Sequence, residues 1–235
     1  MVEMDSERGG KTNSKPFVPA LGHHVLTPLY DGLLRFATRE SVWRQALLGQ
    51  IRPTAGDVIL DVGCGTGTLA VLLKQMAPEA RVIGIDPDAE ALEIARIKAL
   101  RAGLSIEWQI GFARDAAEVA GRRSISKVVS SLVFHQVPVG EKRAGLLAMF
   151  EAVRPDGAIH VADYARQPTR LMKALFTTIE ILDGVENTRP NADGLLESLL
   201  FEYSGGLATP SMIVATPTGA ISLFNCKPAA KEQLS

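Results

Sequence analysis

The stretch Asp57-Val58-Ile59-Leu60-Asp61-Val62-Gly63-Cys64-Gly65-Thr66-Gly67 is an apolar run that passes directly into three glycines at alternating positions. Asp57 to Val62 has the length and the branched side chains of a buried strand, and Leu69-Ala70-Val71-Leu72-Leu73 opens a helix that closes near Pro78. Glycines in such a turn accept positive φ and carry no Cβ, so a ligand can touch the backbone there. The N–H groups of the turn and of the helix start can then face an anionic group such as a carboxylate.

Outward from this stretch, strands and helices alternate. Arg81 to Asp86 reads as a second strand, followed by a helix from Asp88 to about Arg101 that ends at Gly103. Ser105 to Ile110 reads as a third strand and Lys127 to Val133 as a fourth. A helix over Glu141 to Val153 and a Pro155-Asp156-Gly157 turn lead to a fifth strand at Ala158 to Asp163. Strands separated by helices require right-handed crossovers, hence an α/β, doubly wound, mostly parallel sheet with helices on both faces. Thr169 to Val185 breaks the alternation with an amphipathic helix, on which Leu171, Leu175, Phe176, Ile179 and Leu182 recur at helical spacing. A second helix fits Ala192 to Tyr203. Ser211 to Ala215 and Ala220 to Asn225, around Pro217-Thr218-Gly219, read as an antiparallel hairpin that finishes the sheet.

The 235 residues, 46% of them hydrophobic, supply one large core. The expected organisation is a tail over residues 1–20 and a single domain over 21–235, with a helical cap at 21–50 and a helical insert at 165–203. The segment Val25 to Gly49 is read as one or two helices packed beside the sheet or as a small lid, and both readings stay open. The net charge is −1 and no Lys/Arg cluster stands out, so no nucleic-acid partner is expected and a small molecule is the default ligand. The polar opening lacks the basic and apolar blocks of a secretory signal, and no apolar run is long enough to span a bilayer. The only cysteines, Cys64 and Cys226, are far apart and read as small buried side chains in a reducing cytoplasm. No metal-ligand motif appears, and His23-His24 reads as a polar approach to the first helix.

Asp86 ends the second strand, where a doubly wound sheet presents an acid to ribose hydroxyls; the alternative is a cap for the helix starting near Asp88. The glycines close as G-x-G-x-G, with Thr68 where a dinucleotide dehydrogenase places its third glycine. Val58 to Gly67 resembles the first motif of class I S-adenosylmethionine-dependent methyltransferases, and Gly84 to Asp86 resembles their second-strand acid. Val128 to His135 is similar to their fourth strand, Val153 to Gly157 to the turn before their fifth, and Pro217-Thr218-Gly219 to their terminal hairpin. The resemblance covers most of Ile51 to Pro228, is nearest to the ubiquinone and menaquinone methyltransferases, and implies a seven-stranded Rossmann-like sheet. It also implies that Asp61 orients the cofactor's amino group, with Gly63, Cys64, Gly65 and Gly67 beside the methionine part. Asp86 would hold the ribose, Pro87, Phe112 and Ala113 would lie along the adenine, and Ser131 and Leu132 would begin the pocket edge of the fourth strand. Many relatives carry an Asp where Phe112 stands, so adenine would here be met by apolar packing or backbone. Asp115 reads more simply as a helix-start residue.

A sulfonium methyl is already electrophilic, so methyl transfer asks mainly for alignment and exclusion of water. A hydroxyl or carbon-acid acceptor would also need a base. His135 follows the fourth strand and is the candidate catalytic base, with a histidine bonded only to the loop around Gln136 to Val139 as the structural alternative. Tyr164 at the end of the fifth strand is a candidate substrate contact; Tyr30 resembles a tyrosine near the N-terminal cap of several related enzymes and is a candidate contact to the cofactor or the substrate, with simple packing as the alternative. His160, inside the fifth strand, is expected to be structural. The expected product is S-adenosylhomocysteine, and a homodimer through the inserted helices is left open. The competing functions are a protein that binds S-adenosylmethionine without turnover and a nicotinamide-dependent oxidoreductase.

Overall fold

The computed structural model describes residues 39–229. Seven strands form one sheet: β1 Val58–Val62, β2 Arg81–Asp86, β3 Glu107–Ile110, β4 Ile125–Ser131, β5 Val153–Tyr164, β6 Pro210–Thr216 and β7 Gly219–Cys226. Across the sheet they run β3-β2-β1-β4-β5-β7-β6. β1 to β5 are parallel, and β7 enters antiparallel between β5 and β6. The strand order reverses between β1 and β4, and the crevice outside their carboxyl ends is where a doubly wound sheet takes its ligand. The α/β, Rossmann-like architecture expected from the sequence is therefore the one observed.

The helices are α1 Glu40–Ile51, α2 Thr68–Met76, α3 Ala89–Arg101, α4 Ala116–Ala120, α5 Val139–Ala152, α6 Arg170–Asp183, α7 Val185–Ala192 and α8 Leu195–Tyr203. Alternation along β1 divides the core. Ile59 packs with Trp43 and Leu47 of α1, Leu69 and Leu73 of α2, and Phe176 and Ile179 of α6. Leu60 and Val62 face the other way, against Leu146 and Met149 of α5 and Leu196 and Leu199 of α8. The two-residue period places Asp61 on the same side as Ile59, beneath α1 and α2.

Four expectations need correction. β4 stops at Ser131 rather than Val133, because Leu132 adopts a left-handed φ of 56° and turns the chain. β5 runs through Pro155-Asp156-Gly157 instead of starting after it. Register against β4 jumps there from Ile125↔Val153 to Lys127↔Ala158, so the expected turn is a bulge within a continuous strand. Gly157 permits it, since a Cβ would stand 2.7 Å from the Ser126 carbonyl. The insert holds three helices rather than two: α7, with the sequence VENTRPNA, lies between α6 and α8 and lacks the apolar period that would have announced it. The third strand begins at Glu107, two residues late. No helix among the described residues is long and apolar enough to cross a membrane, and Cys64 and Cys226 are buried free thiols.

Candidate functional site

The glycine loop leaves β1 with Gly63, Gly65 and Gly67 all at positive φ. Their reasons differ. A Cβ on Gly63 would lie 2.3 Å from Val133 Cγ2 and one on Gly67 would lie 2.6 Å from the Trp108 ring, so these two are glycines because the fold packs against them. A Cβ on Gly65 meets nothing within 4 Å, so Gly65 alone faces open space. The loop N–H groups are also largely engaged inside the protein. Gly63 and Cys64 donate to the Ile85 carbonyl at 2.8 and 3.1 Å, and Gly67 donates to Cys64 at 2.9 Å. Gly65 donates to Asp86 Oδ2 at 2.8 Å. The expected anion cradle therefore shrinks to the first turn of α2, whose N–H groups have no acceptor within the helix.

Asp61 is 1% exposed, and neither of its carboxylate oxygens finds a hydrogen-bond partner among the described residues. Burial pushes its carboxyl up to about 7, opposed by the charge of Arg44 on α1, reinforced by that of Asp86, and opposed again by the nearby Ala70 N–H in the first turn of α2. A buried acid with no fully formed hydrogen bond is costly, and it marks a place for a cationic or N–H-bearing ligand group. Asp86 is also held above the ordinary carboxylate range by burial, against the N–H bonds from Asp88 and Gly65. The helix-cap reading of Asp86 gives way: Asp88 caps α3 itself, accepting from Glu90 and Ala91 at 2.9 and 3.2 Å.

A second cluster forms where β4 and β5 end. Asp163, fully buried, accepts the N–H groups of Val133 at 3.0 Å, Phe134 at 2.6 Å and Tyr164 at 2.7 Å, and meets His135 Nδ1 at 2.7 Å. It thereby clamps the turn that Leu132 begins. On the far side of the turn, the buried ammonium of Lys142 donates to the Phe134 carbonyl and, at 3.2 Å, to that of His135. Burial brings Lys142 down to about 8, opposed by Asp163. His135 Nε2 lies 3.3 Å from Asp183 Oδ2, at the end of α6. Burial lowers the His135 value, but Asp163 and Asp183 outweigh it and hold the imidazole at about 9. It is an imidazolium at neutral pH in this arrangement. His135 is bonded to two acids rather than to the loop at Gln136 to Val139, and both acids favour its protonated form.

The remaining candidates fall out as follows. Tyr164 is 1% exposed, sits edge-on to His135 with centroids 5.1 Å apart, and shares its hydroxyl with Thr218 at 2.6 Å, so it forms a wall of the crevice with its polar end engaged. Pro87 follows the end of β2 and Ser131 is the last residue of β4, both half-buried. Phe112 follows β3, its N–H bound by Asp115 Oδ2 at 2.9 Å and its ring under the Arg114 guanidinium. Asp115 is thus the helix-start residue expected. The Ala113 methyl is turned toward α5, where a Cβ on Gly145 would come within 2.7 Å of it, leaving only the Ala113 backbone for a ligand. The Cys64 side chain packs into the sheet beside Gly84, with its thiol pushed far up by burial. His160 bonds Gln50 at 3.1 Å and is held down to about 4 by burial and Lys127, a structural neutral histidine. Tyr30 and residues 1–38 of the tail and cap lie outside the described residues. Asp163, Lys142 and Asp183 were not singled out from the sequence. Asp163 could have been found from its place at the carboxyl end of a strand, whereas nothing local distinguishes Lys142 or Asp183 from surface charges.

Residues 59–157 match the methyltransferase-domain family model. The ribosomal RNA small subunit methyltransferase C of Pseudomonas aeruginosa is 32% identical over 131 residues, covering 52% of this chain and 38% of that protein. The ubiquinone biosynthesis O-methyltransferase of Rhizobium etli is 30% identical over 159 residues, covering 68% of this chain and 61% of its own length. The chain therefore spans between about two fifths and three fifths of these relatives. Among solved structures, the magnesium protoporphyrin IX methyltransferase of Synechocystis PCC 6803 with bound SAH superposes with a TM-score of 0.60 at 18% identity, over 89% of this chain and 91% of that one. Residues 59–157 thus carry a methyltransferase domain, and the chain resembles the S-adenosylmethionine-dependent quinone methyltransferases.

Proposed function

We propose that this protein transfers a methyl group from S-adenosylmethionine to a small, quinone-type acceptor at the crevice between β1, β4 and β5. The observation that carries the reading is the Asp61 carboxylate, buried and without a hydrogen-bond partner among the described residues, beside the open face of Gly65. A cationic amino group answers that vacancy in charge and in donor count. On this reading Asp61 holds the amino group of the methionine part. The α2 N-terminus takes its carboxylate, and Asp86 uses the lone pairs left by Gly65 and Asp88 for the ribose hydroxyls. Pro87, Phe112 and the Ala113 backbone flank the adenine, and Ser131 and Leu132 border the sulfonium end. Bound S-adenosylmethionine supplies an electrophilic methyl, so the remaining work of the chain is to align the acceptor and exclude water. Tyr164 walls the acceptor side and His135 meets the acceptor's reacting group.

The relatives divide by name between ribosomal RNA and ubiquinone biosynthesis. The ribosomal RNA enzyme is matched over 38% of its length. This chain's net charge of −1 offers no field for a polyanion, which favours the small-molecule side. Calorimetric titration with S-adenosylmethionine, S-adenosylhomocysteine and NADH tests the reading. The first two should bind and NADH should not. Asp86→Ala should weaken S-adenosylmethionine by about 1–3 kcal/mol through the loss of charge-assisted bonds. Binding of NADH alone would overturn the assignment.

A further inference from the structure

The two acids on His135 differ in how freely they can leave it, which deepens the methyl-transfer reading and rests on it. Asp163 is fully buried and anchored by three backbone N–H groups in addition to the imidazole. Asp183 has a side chain 27% exposed and meets Nε2 at 3.3 Å. It is the last residue of α6, and Gly184 follows at φ 88°, a backbone conformation that favours glycine. The end of the helix is lightly packed: Phe176 and Ile179 are its buried apolar side chains and Glu180 pairs with Arg189 on α7, while Ile181 and Leu182 beside Asp183, and Leu171 at the start, are exposed. Elements held by few buried contacts open at low cost.

We infer that Asp183 is a displaceable partner of His135, closing the acceptor side in the acceptor-free protein and giving way to an acceptor hydroxyl at Nε2. Asp163 keeps Nδ1 throughout and fixes the ring. When Asp183 swings to water, the imidazolium loses one of its two anionic partners and passes its Nε2 proton to the departing carboxylate, which releases it to solvent. The neutral Nε2 then accepts the hydroxyl proton as the oxygen–methyl bond forms and the carbon–sulfur bond breaks. This assigns His135 the base role only in the acceptor-bound state, and makes Asp183 a positioning residue that enforces that order. The charged and titratable groups facing His135 among the described residues are Asp163 and Tyr164 from β5, Asp183 from α6 and, through the backbone carbonyls, Lys142 from α5.

The test follows the His135 side-chain resonances by nitrogen-edited NMR against pH in the wild type, in Asp183→Asn and in Asp193→Asn. Asp193 pairs with Lys173 on the insert and serves as the control. Asp183→Asn should lower the proton affinity of His135 about tenfold and Asp193→Asn should leave it unchanged; an unaltered titration in Asp183→Asn overturns the inference. Phenol, added to protein saturated with S-adenosylhomocysteine, probes displacement. Asp183→Asn should bind phenol at least threefold more tightly with unchanged affinity for S-adenosylmethionine, because a neutral amide competes less well for Nε2. Equal or weaker phenol affinity, or none in either protein, also overturns it. Failure of the wild type to bind S-adenosylmethionine at all would instead sink the methyl-transfer reading, and the NMR titration would still decide whether Asp183 holds His135.

Discussion

Single residues in the cofactor crevice make opposite demands that substitution can separate. Gly65→Val should leave a folded protein, since its Cβ points into open space, at a cost of about 1–2 kcal/mol for a left-handed β-branched residue. It should abolish S-adenosylmethionine binding. Gly63→Ala should do the reverse kind of damage, a lower melting temperature from the 2.3 Å approach to Val133. Calorimetry and thermal denaturation of both variants distinguish a ligand face from a packing face. Asp61→Asn is predicted to stabilise the ligand-free protein while weakening the cofactor. The folded carboxyl is held at about 7 against an ordinary value of 3.8, so its ionised form is disfavoured by folding. The penalty is absent below the unfolded value, grows as pH rises between the two, and is complete above about 7. It is worth on the order of 4 kcal/mol, with burial its main cause. Denaturant melts of wild type and Asp61→Asn should therefore diverge as pH is raised from 4 to 8, with the variant the more stable. Parallel curves would mean that Asp61 has a partner in solution. The glycines and both acids were legible in the sequence by type, order and strand context. Their differing reasons were not, because a packing glycine and a ligand-facing glycine look alike until the residue opposite each is known.

Among the elements, the β4 turn is held from three sides, by Asp163 on β5, Lys142 on α5 and Asp183 on α6. Its stability should follow the titration of His135. The imidazole rises from 6.5 in the unfolded chain to about 9 when folded, so its contribution is full below about 6.5 and is lost as pH climbs through about 9. Wild-type stability should fall across that window by about 3 kcal/mol more than that of His135→Gln, as read from denaturant midpoints. The same slope in both proteins would show that the acids do not charge the ring. Strands β1, β2 and β7 and helices α2, α3 and α6 were readable because apolar period and caps coincide at their ends. α7 and the bulge in β5 were not. The first is a polar helix held by tertiary contacts, among them Arg189 to Glu180 on α6 and Asn191 to the Tyr164 carbonyl. The second is a local detour inside a strand whose ends still pair with β4.

For the whole molecule, a ligand that binds only the folded chain raises its stability by mass action. S-adenosylmethionine at a hundred times its dissociation constant should add about 2.7 kcal/mol, a rise of roughly 5–10 °C in melting temperature for a chain of this size. Asp86→Ala, at the same total ligand, should show a smaller rise, and no rise in wild type would refute the cofactor assignment. The sequence alone determined the doubly wound sheet and the place of its glycine loop and following acid. Those depend on short contiguous signals: an apolar run, glycines where the chain reverses, and an acid at the next strand's end. The tertiary structure decided the acceptor end. Asp163, Lys142 and Asp183 reach His135 from three elements distant in the chain, and burial and opposing charge, set only by packing, determine whether that histidine is a free base or a held cation.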